Sequence, residues 1–488
     1  MKNRSFVSPS FCAQILCGLL LAVISIGLTS CGVRYYKFPT YTFANRPVPP
    51  SKLDSRVMVG VTVDGASQGR LQILDGKRDI RSSIFDANSS FSISGYASPY
   101  PSQIFNFPEQ ISGYVYSKTD GSLNIINYGS ESVKGSAGTF PANLDSIAVP
   151  DGFGHVYGAS SANGVLVVLD VSASKTYALN LPNVYRVSAN KGDTTVLAMV
   201  RNSNTLYRLV KLNQNQPAVP GAVDCQPLAV PVYCVVPVPD STTNPTLDRP
   251  VGAYFSIDGS TAYVLNCGTE CGGKTSSLTL LQTGALLMTT YPTSTSYTSP
   301  VTGNIPVPGG ATVALSDGAT LYVAGQQLQA DGLLAGFLTT IDEASKTVTG
   351  TYSISDGNHS KLLFADNNTL WIGSQSCATG ERASKKQNYN CLTRFDRGSK
   401  AVAIVPAVDP TNSGSRVPYP NANENQYYYG DLTGICWVQN QNKVYSAYGG
   451  QIHAFNTADG SEIDNSRITV QGTALDVAYL DALTNDAN

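Results

Sequence analysis

Residues Ser256–Asn266 read SIDGSTAYVLN, and Leu315–Gly325 read LSDGATLYVAG. Each stretch sets Asp-Gly before a short run of apolar, aromatic and β-branched residues. Glycine tolerates the positive φ of a tight hairpin, and aspartate hydrogen-bonds the backbone just beyond itself. The run that follows suits a pleated, half-buried strand. The pair is therefore one turn-and-strand unit written twice. Weaker copies stand elsewhere: EQISGYVYS from Glu109, DGFGHVYGA from Asp151, DNNTLWIGS from Asp366 and NQNKVYS from Asn440.

A second marker follows later in each unit. It reads RLQILD from Arg70, SLNIIN from Ser122, VLVVLD from Val165, TLYRLV from Thr205, SLTLLQ from Ser277, FLTTID from Phe337, CLTRFD from Cys391 and QIHAFN from Gln451. That gives eight copies, all but TLYRLV ending in a polar residue, typically before a short turn and another β-branched run. A unit is thus a four-stranded antiparallel meander, with strands A, B, C and D from first to last. With 44 Gly, 27 Pro and scarcely any 3.6-residue apolar period, the chain reads as all-β. Repeats of this length built from four strands predict a single β-propeller. Eight blades are expected, or seven if the weak unit around Val196–Val200 (VLAMV) merges with a neighbour.

The motif resembles that of the YVTN family of propeller repeats: Asp-Gly, three residues, Tyr-Val, one residue, Asn. Asp258, Gly259, Tyr263, Val264 and Asn266 match it fully; Asp317, Gly318, Tyr322 and Val323 match it without the Asn. The resemblance implies a structural repeat and no catalytic site. The two ends of the chain fit a closed ring. Residues from Arg56 (RVMVGVTV) read as a B strand lacking its A strand, and GTALDVAYLDA from Gly472 reads as an A strand lacking its unit. Their pairing completes one blade and removes two exposed sheet edges.

The N-terminus places Lys2 and Arg4 before an apolar run, Phe11–Ile26, and then Leu28-Thr29-Ser30-Cys31. That order is a secretory signal; the alternatives are a plain secreted protein or an uncleaved membrane helix, since the apolar run approaches the lower length limit for spanning a bilayer. LTSC resembles the lipobox of bacterial lipoproteins, which implies that Cys31 becomes the acylated first residue of the mature chain. By the same resemblance Gly32, in place of Asp, implies sorting to an outer membrane. The expected organisation is a signal peptide over 1–30, a lipidated cysteine and extended tether over 31–55, and the propeller over 56–488. The tether holds four prolines between 39 and 50 and no periodic pattern. Lys and Arg number 32 against 34 Asp and Glu, so no basic excess draws the chain to nucleic acid.

In an exported chain cysteines pair by default. Cys377 with Cys391 and Cys267 with Cys271 lie across B–C hairpins, and Cys225 with Cys234 brackets a Pro-rich insertion in blade 4. Cys436 is left over as a buried thiol. CGTEC lacks the partner cluster a zinc site needs, and no metal or other cofactor is expected. Of three histidines, His155 and His453 lie in strands and read as structural. His359, near Asp356 and Lys361 where an A strand begins, is the one weak catalytic candidate. No calcium loop, phosphate cradle or nucleophile elbow is present.

In a meander, A–B and C–D turns share one face of the ring, the turn face. B–C hairpins and D–A crossovers share the other, the loop face. The long segments are expected on the loop face: residues 266–277, 325–336 and 374–391 as B–C hairpins, and 291–310 and 408–431 as D–A crossovers. Tyr291, Tyr297, Tyr419, Tyr427, Tyr428 and Tyr429 there offer aromatic surface for a sugar or a protein partner; solvated Tyr-rich linker accounts for them equally well. The expected function is a lipid-anchored binding or scaffolding module of the bacterial envelope that takes a protein, glycan or small ligand through its loop face, with an unknown protein or glycan as the expected partner. A role resembling that of the propeller lipoprotein of the outer-membrane assembly machine is disfavoured by the scarcity of tryptophan. The alternative is an enzyme similar to the virginiamycin lyase or lactonase propellers, with its site at the channel mouth.

Overall fold

The computed structural model describes residues 46–81, 91–151, 154–213, 219–241, 243, 245–295, 298–375, 377, 391–405, 431–463 and 468–485. Among them no α-helix occurs. The strands form eight antiparallel sheets, the eight blades of a propeller. All eight copies of the second sequence marker are the C strands of their sheets. VLAMV (Val196–Val200) is strand B of its own blade, the fourth, which settles the count at eight.

Blade 5 shows how the motif builds a unit. Its strands are Pro250–Phe255, Thr261–Cys267, Ser276–Gln282 and Val301–Pro306. In the A–B turn, Asp258 accepts hydrogen bonds from the Ser260 amide and from the hydroxyls of Ser256 and Ser260, and Gly259 takes φ +71°. Those bonds hold the Asp258 carboxyl below its ordinary range. Strand B is buried along both faces, because each blade is sandwiched between two others. Tyr263, Leu265 and Leu278 thus pack in one cluster with Leu321, Val323 and Ile341 of blade 6.

Blade 1 is assembled from both ends of the chain. Strand Arg56–Thr62 pairs with Thr473–Tyr479 on one side and with Arg70–Asp75 on the other. No turn joins the first pair; a buried ionic clasp sits where one would be. The Arg56 guanidinium donates to both Asp481 oxygens, at 3.0 and 2.7 Å, and to Glu131 of blade 2 at 3.0 Å. Glu131 in turn accepts from the amide and hydroxyl of Ser51. These two carboxylates hold the Arg56 guanidinium above its ordinary value, against the opposing effect of burial.

Neighbouring blades are also joined by the tyrosines of the B strands. The hydroxyls of buried Tyr263 and Tyr322 reach the turn face, where Lys346 and Arg397, each from the C–D turn of the following blade, meet the stitch. Lys346 donates to the Tyr263 oxygen at 2.7 Å, while Asp317 accepts from Tyr322 at 3.2 Å and from Arg397 at 2.9 Å. Burial raises both phenols, that of Tyr322 to about 12. In blade 8, Tyr445 donates to Asp79 of blade 1.

Candidate functional site

On the loop face, the crossover from blade 4 to blade 5 meets the B–C hairpin of blade 5. In that hairpin, the Cys267–Cys271 disulfide closes a 3-10 turn (Gly268–Cys271), and Gly272 follows at φ +74°. The chain then brings the amides of Lys274 and Thr275 onto the Asp248 carboxylate, at 2.6 and 2.8 Å. A side chain at Gly273 would come within 3.0 Å of that carboxylate, so glycine permits the approach. Asp248 itself is held from below: its amide donates to Asn266 Oδ1 at 3.1 Å, and Asn266 Nδ2 donates to the Thr246 carbonyl. The Asn that ends the motif therefore ties strand B to the crossover above it.

Blade 6 has Gly325 at the same motif position. Its crossover lies so close that a Cβ there would meet Gly310 backbone at 2.4 Å. Blade 6 thus seals its rim with backbone contact, while blade 5 holds its rim apart with a side chain. Beside blade 5 the result is an open cleft of about 440 Å³ lined by Asn202, Ser203, Asn204, Asp248, Arg249 and the Gly272–Lys274 segment. Arg249 spans it, donating to Asn202 at 2.7 Å. The cleft offers a guanidinium, an ammonium, two side-chain amides and a hydroxyl, a set suited to hydrogen-bonding hydroxyls or peptide groups. Sequence reasoning missed it. The signal was present in Asn266, whose role as a link to the crossover the motif does not announce.

The sequence placed Asp356, His359 and Lys361 together; the structure turns His359 and Lys361 apart. Two residues apart on a regular strand, His359 and Lys361 would share a face. A register shift between them in strand A of blade 7 (Asn358–Ala365) breaks that alternation. His359 turns inward and is buried; its Nε2–H donates to the Ser355 carbonyl at 2.8 Å, and Nδ1 has no hydrogen-bond partner. Burial holds the imidazole at about 4, so it is neutral at physiological pH. Lys361 instead pairs with Asp476 of blade 1 at 3.6 Å. The Asp476 carboxylate also accepts the Ile104 amide of blade 2, and burial raises its pKa. Asp356 accepts the Gly336 amide of blade 6. Asp356 and Lys361 are thus engaged with neighbouring blades, and His359 with the crossover that leads into its own strand.

His155 and His453 also form contacts. His453 meets Glu462 at 2.7 Å, next to its own strand. His155 stands in a denser cluster between blades 3 and 4 on the turn face. Its Nδ1 meets Asp193 at 2.5 Å, its Nε2 meets Tyr233 at 3.0 Å and Lys211 at 3.3 Å, and Tyr157 donates to the same Asp193 at 2.6 Å. The members are far apart in sequence, which is why no local motif reveals them.

All three expected disulfides are formed, and Cys436 is buried as a thiol raised by burial. Cys225 and Cys234 face each other directly in a hairpin that adds a fifth strand, Asp224–Gln226, to blade 4. One loop assignment is corrected. Residues 291–310 are not a D–A crossover, because Val301–Pro306 is strand D of blade 5; the connection from Thr283 to Pro300 is C–D and lies on the turn face. VTGNIP buries only Ile305 fully, since an outermost strand has water along one edge, and so it carries little apolar signal. Tyr291 accordingly sits on the turn side, partly buried against the cluster of Val210, Val219 and Val236. Tyr297, Tyr419, Tyr427, Tyr428, Tyr429 and Cys31 lie outside the described residues.

No family model and no curated protein matches the chain. Solved structures do. A dihydro-heme d1 dehydrogenase, NirN, in complex with DHE aligns at 15% identity with a TM-score of 0.51, covering 91% of this chain and 79% of the other. The hydrazine synthase of Kuenenia stuttgartiensis aligns at 14% identity and TM-score 0.41, over 74% of this chain and 77% of that one. The Cps50 (Swd1) β-propeller domain of Myceliophteria thermophila aligns at 10% identity and TM-score 0.46, over 74% and 98%. At these identities the first likeness is one of fold alone.

Proposed function

We propose that the chain is a lipid-anchored binding or scaffolding propeller of the bacterial envelope, anchored through Cys31 in an outer membrane, which engages a protein or glycan partner through its loop face. The observation that carries this reading is the cleft beside blade 5. Its walls are fixed by a disulfide, by the Asp248 cap and by Asn266, while Arg249, Lys274 and Asn204 line it. A rigid scaffold bearing polar groups in a concavity is a binding arrangement. The second disulfide of this face, Cys377–Cys391, closes the mouth of the long hairpin of blade 7. Catalysis at the channel mouth draws less support: His359 is buried and neutral, and Lys361 is committed to Asp476.

The test is photo-crosslinking in intact envelopes with benzoylphenylalanine at exposed Lys274 or, on the turn face, at exposed Ser345. Benzophenone inserts into C–H bonds of protein or glycan alike. A discrete adduct from position 274, lost on adding Arg249→Ala, is expected. Adducts from position 345 alone would overturn the reading.

A further inference from the structure

The C–D connection of blade 4, from Leu212 to Val232, rises on the face that otherwise has mostly short turns. Its described part folds back as a hairpin whose strand Asp224–Gln226 runs toward the turn face beside strand Val232–Pro237. The base is well held. Cys225 is bonded to Cys234, the Asn180 amide of blade 3 donates to Asp224 at 2.7 Å, and Val219, Val236 and Cys234 form a small core with Val210 and Leu212. The tip, Pro227-Leu228-Ala229-Val230-Pro231, carries no charge, and Leu228 is 94% exposed. A stapled hairpin that leaves its largest apolar side chain almost wholly in water gains nothing in folding from that side chain.

Single exposed apolar residues need no explanation; their segregation does. Six large apolar side chains are exposed among the described residues. Leu228, Val230 and Val348, at the start of a D strand, lie at the turn face, and so does Val48, 80% exposed in the segment leading into the ring. Val223, 46% exposed, stands beside the far end of strand Val232–Pro237, and Leu328, 49% exposed, lies on the loop face. The chain also enters on the turn face. Arg46 donates to the Ala482 carbonyl beyond strand A of blade 1, and Ser51 is bound to Glu131 in the C–D turn of blade 2. The chain that precedes Arg46, with Cys31 in it, is therefore joined to the face that carries the tip.

From this coincidence we infer that the Pro227–Pro231 tip is a membrane-docking element. Leu228 and Val230 enter the interface of the bilayer to which the N-terminus is tied, so that the ring rests on its turn face. A lipid surface fits better than a protein: the tip lacks the aromatic or arginine anchor typical of a protein hot spot, and apolar area buried at a bilayer interface adds to membrane binding in its own right, beside any electrostatic contribution. The inference rests on the proposed anchoring for its choice of membrane.

The experiment uses the full chain with tryptophan introduced as Leu228→Trp or, on the opposite face, Leu328→Trp. The native Trp371 and Trp437 are both buried, out of reach of the bromine atoms, so their emission is a constant background that is subtracted using the chain without the added tryptophan. The chain is reconstituted with phosphatidylethanolamine–phosphatidylglycerol vesicles carrying brominated acyl chains, and emission is read in the fraction that floats. The expected result is strong quenching at 228, little at 328, and relief of quenching when Val230→Asp is added to the Leu228→Trp chain. Flotation without quenching at 228 overturns the docking inference and leaves the anchor standing. Quenching in a chain that takes up no palmitate overturns the anchor and leaves the docking standing. A blue shift at 228 that grows with protein concentration in the absence of vesicles assigns the tip to a second copy of the chain and overturns the inference.

Discussion

The two faces of the ring are held by different physics. On the turn face, blades meet through buried and half-buried ionisable groups: Arg56 with Asp481 and Glu131, Lys346 with Tyr263, Arg397 with Asp317, and His155 with Asp193. On the loop face, two disulfides and side-chain caps on backbone amides hold irregular chain, as Asp248 and Asn266 do beside blade 5. The first arrangement fixes how blades sit against one another. The second fixes the shape of a surface while leaving polar groups such as Lys274 free to meet water. Substitutions on the turn face should accordingly be felt through the whole ring, and those on the loop face locally.

The largest effect is expected from removing residues 472–488, which takes away strand A of blade 1 and with it the partner of Arg56–Thr62. The truncated chain should lose cooperative unfolding or aggregate, as read by calorimetry and light scattering; a truncation that melts like the intact chain would show that the clasp does not close the ring. Next comes Arg56→Ala, which leaves the Asp481 and Glu131 carboxylates buried without their cation. A loss of about 3–5 kcal/mol is expected for breaking such a network, measured by denaturant titration.

His359 separates the faces by pH. Its folded value of about 4 lies below the ordinary 6.5, so its contribution is fully present above pH 6.5 and is lost as pH falls toward 4. At 1.36 kcal/mol per unit the full swing is about 3 kcal/mol. The stability gap between wild type and His359→Gln should therefore shrink as the pH is lowered through that window; a gap independent of pH would mean the imidazole is not held neutral. A smaller effect is expected from Tyr263→Phe, which removes one hydrogen bond from Lys346. About 0.5–1.5 kcal/mol is the expected cost, against almost none for Lys274→Ala on the other face.

The sequence made the ring legible where strands are buried on both sides. VLVVLD is a nearly continuous apolar run because a neighbouring blade covers each face, and all eight copies of that marker proved to be C strands. Closure was legible because an unpaired strand at either end has to go somewhere. The outermost strands were not: VTGNIP, with water along its edge, hid strand D of blade 5 inside an apparent crossover and sent Tyr291 to the wrong face. The candidate site was hidden for a different reason. A register shift of one residue moved His359 into the interior, and the cleft is built by Asn202, Asp248 and Lys274 from three separate connections. Side chains that meet only after the ring has closed leave no local pattern to read.

The claim that unites these observations is that the turn face lies against the membrane and the loop face looks away from it. Single cysteines introduced as Asp331→Cys, in the B–C hairpin of blade 6, and Ser345→Cys, in a C–D turn, test it directly, since both positions are exposed and Cys436 is buried. In membrane-bound protein a bulky maleimide should label position 331 faster than position 345, and the ratio should return to its free-solution value once the anchor is released. Equal labelling in both states, or faster labelling at 345, would contradict the account.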